Sequence, residues 1–274
     1  MLKTIIYLNL IIIFIYRMID KNTITNNIIY KIKAKIYKKY KTKYIRLSRN
    51  QLRIFESLFN DGSLNKKYVD SKNNLKYSEH SGLLDFGKTT LQRVVINAIP
   101  SKSSSLDEIL LPENLPDYFD YEYIFHTHPS TPYPGARVMD GILYEFPSIS
   151  DLEHFIDHHN NGSTQGSLVF APEGLYIIKC IDNTKKIIIK REKKVFNYIL
   201  NKFHEIQDMA IHQYGTNFTL SRFYTKIAKD KKYIKMYNSI IKKINIKIIY
   251  KHRVKSRNNE WIIDTFYLKV NPIE

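Results

Sequence analysis

The chain has 274 residues, 43% hydrophobic and 25% charged: enough apolar material for one sizeable core with extensions, and too much for a disordered chain. Its formal charge of +17 at pH 7 favours anionic contacts. A single cysteine, Cys180, excludes an intramolecular disulfide framework and any cysteine-based zinc site.

That charge is segmented. Residues 1–53 carry thirteen Lys and Arg against one acid, residues 185–274 carry twenty-one against seven, and residues 54–184 hold only nine against eighteen. An acidic centre between basic flanks reads as an enzyme with attached surface-binding segments. A compositional drift toward Lys, Ile, Asn and Tyr accounts for the flanks equally well.

At the amino end, Thr4 to Tyr16 is apolar apart from Thr4 and Asn9, with Lys3 and Arg17 on either side. The run is short for a spanning helix, which needs about 20 residues, and suits a signal-peptide core or a short anchor. Residues 1–17 are therefore read as an anchor or signal segment, with a buried helix and a start at Met18 as alternatives; the expected location is intracellular, membrane-associated through residues 4–16. Residues 18–42 form a basic extension. From Ile28 to Ile45 basic and apolar residues alternate, which suits a strand, an arm on an anionic surface, or a solvated extension.

From Lys43, "KYIRLSRNQLRIFESLFNDG" predicts a short strand and a helix, with Ser48 as N-cap, Leu52, Phe55, Leu58 and Phe59 as the apolar face, and Asp61-Gly62 as the end. Ser63 to Lys76 is polar and reads as a loop. "SEHSGLLDFG" and "LQRVVINAIP" follow as strands, then "LPENLPDYFD" as a connection and "YEYIFHTHP" as another strand. A loop from Ser130 to Phe146 leads to the helix "SISDLEHFIDHHNN", and "GSLVFAPEGLYIIKCID" gives a strand pair turning at Pro172-Glu173-Gly174. Cys180 falls on the second of these as an inert packing thiol. Beyond Thr184, Val195, Ile199, Phe203, Ile206 and Ala210 repeat at helical spacing, a second helix runs from about Ser221 to Lys243, and "INIKIIYKHRV" with "EWIIDTFYLKV" form a hairpin around Ser256–Asn259.

Three short segments carry chemistry. In "FHTHP", His126 and His128 stand two apart on a strand, so both imidazoles project to one face. Asp151, in the first turn of the following helix, supplies a carboxylate that completes three protein ligands and leaves a fourth position for water. Taken alone, each piece has a plainer explanation: H-x-H pairs are common, and Ser148-x-x-Asp151 is also a capping box.

The ordered set "EHSGLL" (Glu79 to Leu84), "HTHP" (His126 to Pro129) and "SISD" (Ser148 to Asp151) resembles the JAMM/MPN metalloprotease family, whose motif runs E-x-x-G-x-[LM], H-x-H-P, S-x-x-D. The resemblance covers residues 43–182. It implies an α/β fold of MPN type, cytidine-deaminase-like, with a sheet sandwiched by helices; residues 185–274 then form a small basic α+β appendage. It further implies zinc held by His126, His128 and Asp151, Glu79 as the proton-transferring base, and Ser148 helping to hold the oxyanion. The implied activity is hydrolysis of a peptide or isopeptide bond, with ubiquitin or a ubiquitin-like conjugate as protein substrate.

Two departures stand out. Ser130 to Pro147 is a longer spacer than the family uses, read as a lid or substrate-facing insertion, and Phe86 stands where the family often has glycine, with Gly87 next. His80 points away from Glu79, and His154, His158 and His159 read as solvated helix residues, so no second metal is expected. The competing readings are a non-catalytic MPN scaffold and a protein binding nucleic acid or an anionic membrane surface through its basic flanks.

Overall fold

The structure, a computed structural model, describes residues 42–62, 67–69, 75–97, 120–128, 133–183 and 185–271. The chain divides into two units, Met1–Lys41 with Thr184–Lys186, and Thr42–Asn183 with Ile187–Glu274; everything below concerns the second. The apolar segment 4–16 and the basic extension up to Lys41 lie outside the described residues. No described helix is long and apolar enough to cross a membrane.

Strand β1 (Lys43–Leu47) leads into helix α1 (Arg49–Asn60). Ser48 starts the helix through a reciprocal capping box with Gln51, which satisfies two donors the first turn would leave open. Leu52, Phe55 and Phe59 are buried, and Phe55 stacks on Phe170 at 4.6 Å and meets Phe125 edge-on at 4.9 Å. Each such side chain contributes about 1.5–3 kcal/mol, and together they press α1 against the strands that bear the site.

The segment expected as a loop instead contains a short antiparallel pair, β2 (Lys67–Val69) with β3 (Leu75–Tyr77). Three residues are too few for an alternating pattern to stand out in the sequence. Strands β4 (Ser81–Phe86), β5 (Leu91–Ile96), β6 (Tyr123–Thr127), β7 (Gly166–Phe170), β8 (Gly174–Cys180) and β9 (Ile246–His252) then form one mixed sheet in the order β5-β4-β6-β7-β8-β9. Only β6 and β7 run parallel, and such a pair needs a crossover. The crossover is the 133–147 loop followed by helix α2 (Ile149–Asn161).

Alternation sorts the strands' side chains to two faces. Leu84, Phe86, Tyr123, Phe125, Leu168, Phe170, Leu175 and Ile177 pack under α1 and β1. Val169, Tyr176, Ile178, Cys180, Ile246, Ile248 and Tyr250 pack under α2, α3 (Glu192–Tyr214) and α4 (Lys232–Ile241). The architecture is thus α/β, a mixed sheet with helices on both sides.

The carboxy-terminal stretch is built into this fold. β9 pairs with β8 at the edge of the sheet, and β12 (Phe266–Val270) forms a separate two-stranded ribbon with β1, from Lys43↔Val270 to Leu47↔Phe266. The expected hairpin is reduced to β10 (Val254–Lys255) with β11 (Trp261–Ile262). Its two longer arms separate because their apolar faces have different covers: β9 faces α3 and α4, while Phe266, Leu268 and Val270 face the other side of the sheet. The expected helix from Ser221 to Lys243 is also broken. A π-helical turn (Phe223–Ile227) ends it, and Asp230 Oδ1 accepts from Lys232 N at 2.8 Å to begin α4 afresh.

Candidate metal centre

The crossover sets the site. His126 is the penultimate residue of β6 and His128 lies just beyond its end, both on the face that α2 covers. Asp151 occupies the first turn of α2, which returns to that strand end. His126 Nε2 and His128 Nε2 lie 3.0 Å apart, Asp151 Oδ1 is 3.0 Å from His126 Nε2, and Asp151 Oδ2 is 3.2 Å from His128 Nε2. All three residues are at least nine-tenths buried. Three donor atoms from two distant segments converge out of water.

A tetrahedral zinc ion with bonds of about 2.0–2.1 Å to nitrogen and oxygen spaces its ligand atoms by roughly 3.3 Å, close to the separations here, where each imidazole meets a different oxygen of Asp151. Two neutral imidazoles and a carboxylate also make a chemically suitable set for such an ion. The group can hold a metal ion, and among the described residues no other cluster of three or more His, Cys, Asp or Glu side chains does so.

Asp151 is both cap and ligand candidate. Its Oδ2 accepts from Ser148 N at 2.6 Å, while Ser148 Oγ accepts from Asp151 N at 3.2 Å. The capping box therefore fixes the carboxylate's rotamer and leaves it facing the imidazoles. Ser148, half-buried, spends a lone pair on the cap and keeps its O–H hydrogen as a donor.

Electrostatics tie further residues to the centre. Burial alone would raise the Asp151 carboxyl, but the two imidazoles outweigh it and hold it well below the usual carboxylate range. Burial lowers the pKa of His126, against the pull of Asp151. For His128, burial is overcome by Asp151, Glu79 and Glu145, which push the imidazole up to about 10. The Asp151 carboxylate thus favours a positive charge, from a proton or a metal ion, beside the two imidazoles.

Glu79 reaches the site by register. Ser81 lies opposite His126, and Thr127 N donates to His80 O at 2.9 Å, so one more step sets Glu79 across from His128. Directly opposed residues share a face, which puts Glu79 on the metal side and His80 on the other. His80 Nε2 indeed pairs with Asp61 Oδ2 at 3.0 Å. Gly82 of the same motif has no room for a side chain: a Cβ there would lie 2.0 Å from Val95 O and 2.6 Å from the Phe125 ring.

Of the three helix histidines expected to be solvated, His154 is half-buried, while His158 and His159 are not solvated. His158 and His159 are buried; burial, with His154 nearby, drives the pKa of His158 down to about 4, and His159 Nδ1 contacts Thr164 O at 2.9 Å. Both stay outside the donor set.

Residues that no motif marks hold the site in place. Gln207 on α3, fully buried, accepts from Leu143 N at 3.0 Å and Tyr144 N at 3.2 Å and donates to Tyr144 O at 2.7 Å. Tyr144 OH donates to Ile227 O at 2.9 Å, and Tyr237 OH on α4 donates to Pro147 O at 3.0 Å, one residue before Ser148. Glu145 pairs with Arg137 at 3.1 Å. The stem of the insertion is a fixed wall, while its turn exposes Tyr133 and Met139. A regular i, i+3, i+4 pattern on α3 and α4 hints at burial of these helices, but nothing in it distinguishes Gln207 or Tyr237 as site supports.

Comparison with known proteins adds one relative. An uncharacterized protein of Acanthamoeba polyphaga mimivirus is 34% identical over 238 residues, covering 82% of this chain. The chain spans 65% of that relative's length. No family model matches the chain, and no solved structure matches it.

Proposed function

We propose that the protein is a zinc-dependent hydrolase of JAMM/MPN type that cleaves peptide or isopeptide bonds, with ubiquitin or ubiquitin-like conjugates as its substrate class. The observation that carries this reading is the convergence of His126, His128 and Asp151 on one buried point, with Glu79 opposite His128 on the same sheet face. A structural metal site closes all four positions with protein ligands; three ligands are the pattern of a hydrolytic site. Zinc bound there supplies an acidified water and a polarised amide carbonyl.

The chain's own residues supply the rest. Glu79 takes a proton from the attacking water and returns it to the departing amine. Ser148 donates its hydroxyl hydrogen toward the oxyanion that develops on the carbonyl, from a position fixed by its cap with Asp151. Glu145, paired with Arg137, adds negative charge that acts on His128.

The test is to purify the protein, measure bound zinc, and compare cleavage of a panel of ubiquitin dimers by wild type and Glu79→Gln. The variant keeps its zinc and loses at least about a hundredfold in turnover, the typical weight of a positioned base. Equal cleavage by both proteins overturns the role of Glu79. Zinc retained by a wild type that cleaves no dimer removes the ubiquitin-type substrate.

A further inference from the structure

The β1–β12 ribbon presents a face unrelated to the metal centre. Ile45, Leu47, Phe266, Leu268 and Val270 point inward, so the alternate residues point to solvent. Tyr44 is 69% exposed and Tyr267 63% exposed, and Arg46 and Lys269 are exposed beside them. The register pairs Tyr44 with Lys269 and Arg46 with Tyr267. Each tyrosine therefore has a cation directly across the ribbon, and the two tyrosines lie on one diagonal about 7 Å apart. No carboxylate occupies the outward positions of either strand.

The positive surface continues sideways. Lys179 lies opposite Lys247 in the β8–β9 register, and its Nζ contacts Lys269 O at 2.9 Å, which puts Lys247 on the sheet face that the ribbon covers. Lys247 and Lys251 are exposed on that face of β9.

We infer that this ribbon face is a binding surface for single-stranded nucleic acid, with Tyr44 and Tyr267 stacking on unpaired bases and Arg46 and Lys269 contacting the flanking phosphates. Cations alone would fit any polyanion. What selects a single strand is the alternation: two well-exposed aromatic rings on a rigid, hydrogen-bonded ribbon, each next to a cation, match a chain that offers a flat base and a phosphate at every step. A duplex hides its base faces, and a lipid surface has none. The inference stands apart from the proposed hydrolase activity.

Its test uses the full-length protein and fluorescence anisotropy with a labelled oligo-dT, a duplex of equal length, and vesicles of phosphatidylserine and phosphatidylcholine. Wild type binds the single strand more tightly than the duplex or the vesicles. Tyr44→Ala and Tyr267→Ala each weaken it by about fivefold or more, while Tyr→Phe at either position retains binding. Arg46→Gln with Lys269→Gln lowers the slope of log affinity against log salt by about 1.4, two phosphates at single-strand weight. Circular dichroism and zinc content of each variant report that the fold and the metal centre are intact. Duplex binding as tight as single-strand binding, unchanged affinity in both alanine variants, or association with the vesicles alone overturns the inference.

Discussion

Replacing Asp151 separates its two tasks. In the native protein the carboxylate receives Ser148 N–H and also faces both imidazoles. Asp151→Asn keeps an oxygen for Ser148 N–H, so the start of α2 survives, but it removes the negative charge a cation needs. Asp151→Ala removes both. Because both variants lack the charge, their difference in zinc-free stability reports the neutral polar contacts that Asn keeps with Ser148 N–H and the imidazoles, about 1 kcal/mol in favour of Asn. Zinc-dependent stability isolates the ligand. At zinc 1,000-fold above its dissociation constant, wild type gains about 4 kcal/mol, and a variant binding a hundredfold more weakly gains about 1.4 kcal/mol. Urea unfolding with and without zinc reads both quantities. A wild type that gains nothing from zinc, or an Asn variant that gains as much, makes Asp151 a helix cap only and refutes the metal centre.

Tyr237→Phe leaves the buried Pro147 carbonyl without its donor and is expected to cost about 1–3 kcal/mol. If this hydrogen bond also orients the Ser148 and Asp151 corner, zinc affinity falls about tenfold in a chelator competition; unchanged affinity would restrict Tyr237 to stability. Gly82→Ala forces a Cβ into the Val95 carbonyl and the Phe125 ring. Both neighbours belong to the sheet, so a loss of roughly 3 kcal/mol or more is expected by chemical denaturation, against under 1 kcal/mol if the strand can simply shift. Glu173 has its pKa raised to about 7, first by burial and then by Glu145, despite accepting from Tyr176 OH at 2.5 Å and Glu145 N at 2.7 Å. The fold therefore binds this proton more tightly than the unfolded chain does. The stabilisation is complete below about pH 4.5 and is lost as pH rises through 7, amounting to about 3 kcal/mol. Glu173→Gln removes that slope between pH 5 and 8, as unfolding midpoints against pH will record; an unchanged profile would mean the carboxyl is ionised throughout.

The sequence is most informative where one local rule suffices. Ser48 and Gln51 announce the start of α1, and the short, largely apolar runs "YIFHT" and "GSLVF" mark strands whose two faces are both buried. The fate of β9 and β12 depends on which layer covers each apolar face, and that information lies in the partners, not in the strands. His158 and His159 illustrate the same limit. They occupy a helix with a polar composition, yet both are buried and the loop to β7 contacts His159 through Thr164 O, and only tertiary contact decides whether an imidazole on α2 meets water.

The metal donors converge because of topology, and this also explains why the long insertion is tolerated. A parallel β6–β7 pair obliges the chain to cross over, and α2 must begin near the end of β6 to pack on the sheet. The positions of His126, His128 and Asp151 are thus set by strand end and helix start, whatever loop joins them. Closing a longer loop costs only about 0.6 kcal/mol for each doubling of its length. That cost is offset locally, because Gln207 takes three backbone bonds from Leu143 and Tyr144, Tyr144 anchors on Ile227, and Tyr237 anchors Pro147. Helices α3 and α4 therefore do for the insertion what a shorter loop would do by its length, and the carboxy-terminal stretch becomes a structural requirement of the site. Truncating the chain before α3 removes these anchors, so zinc binding should fail together with the fold of the 142–147 stem.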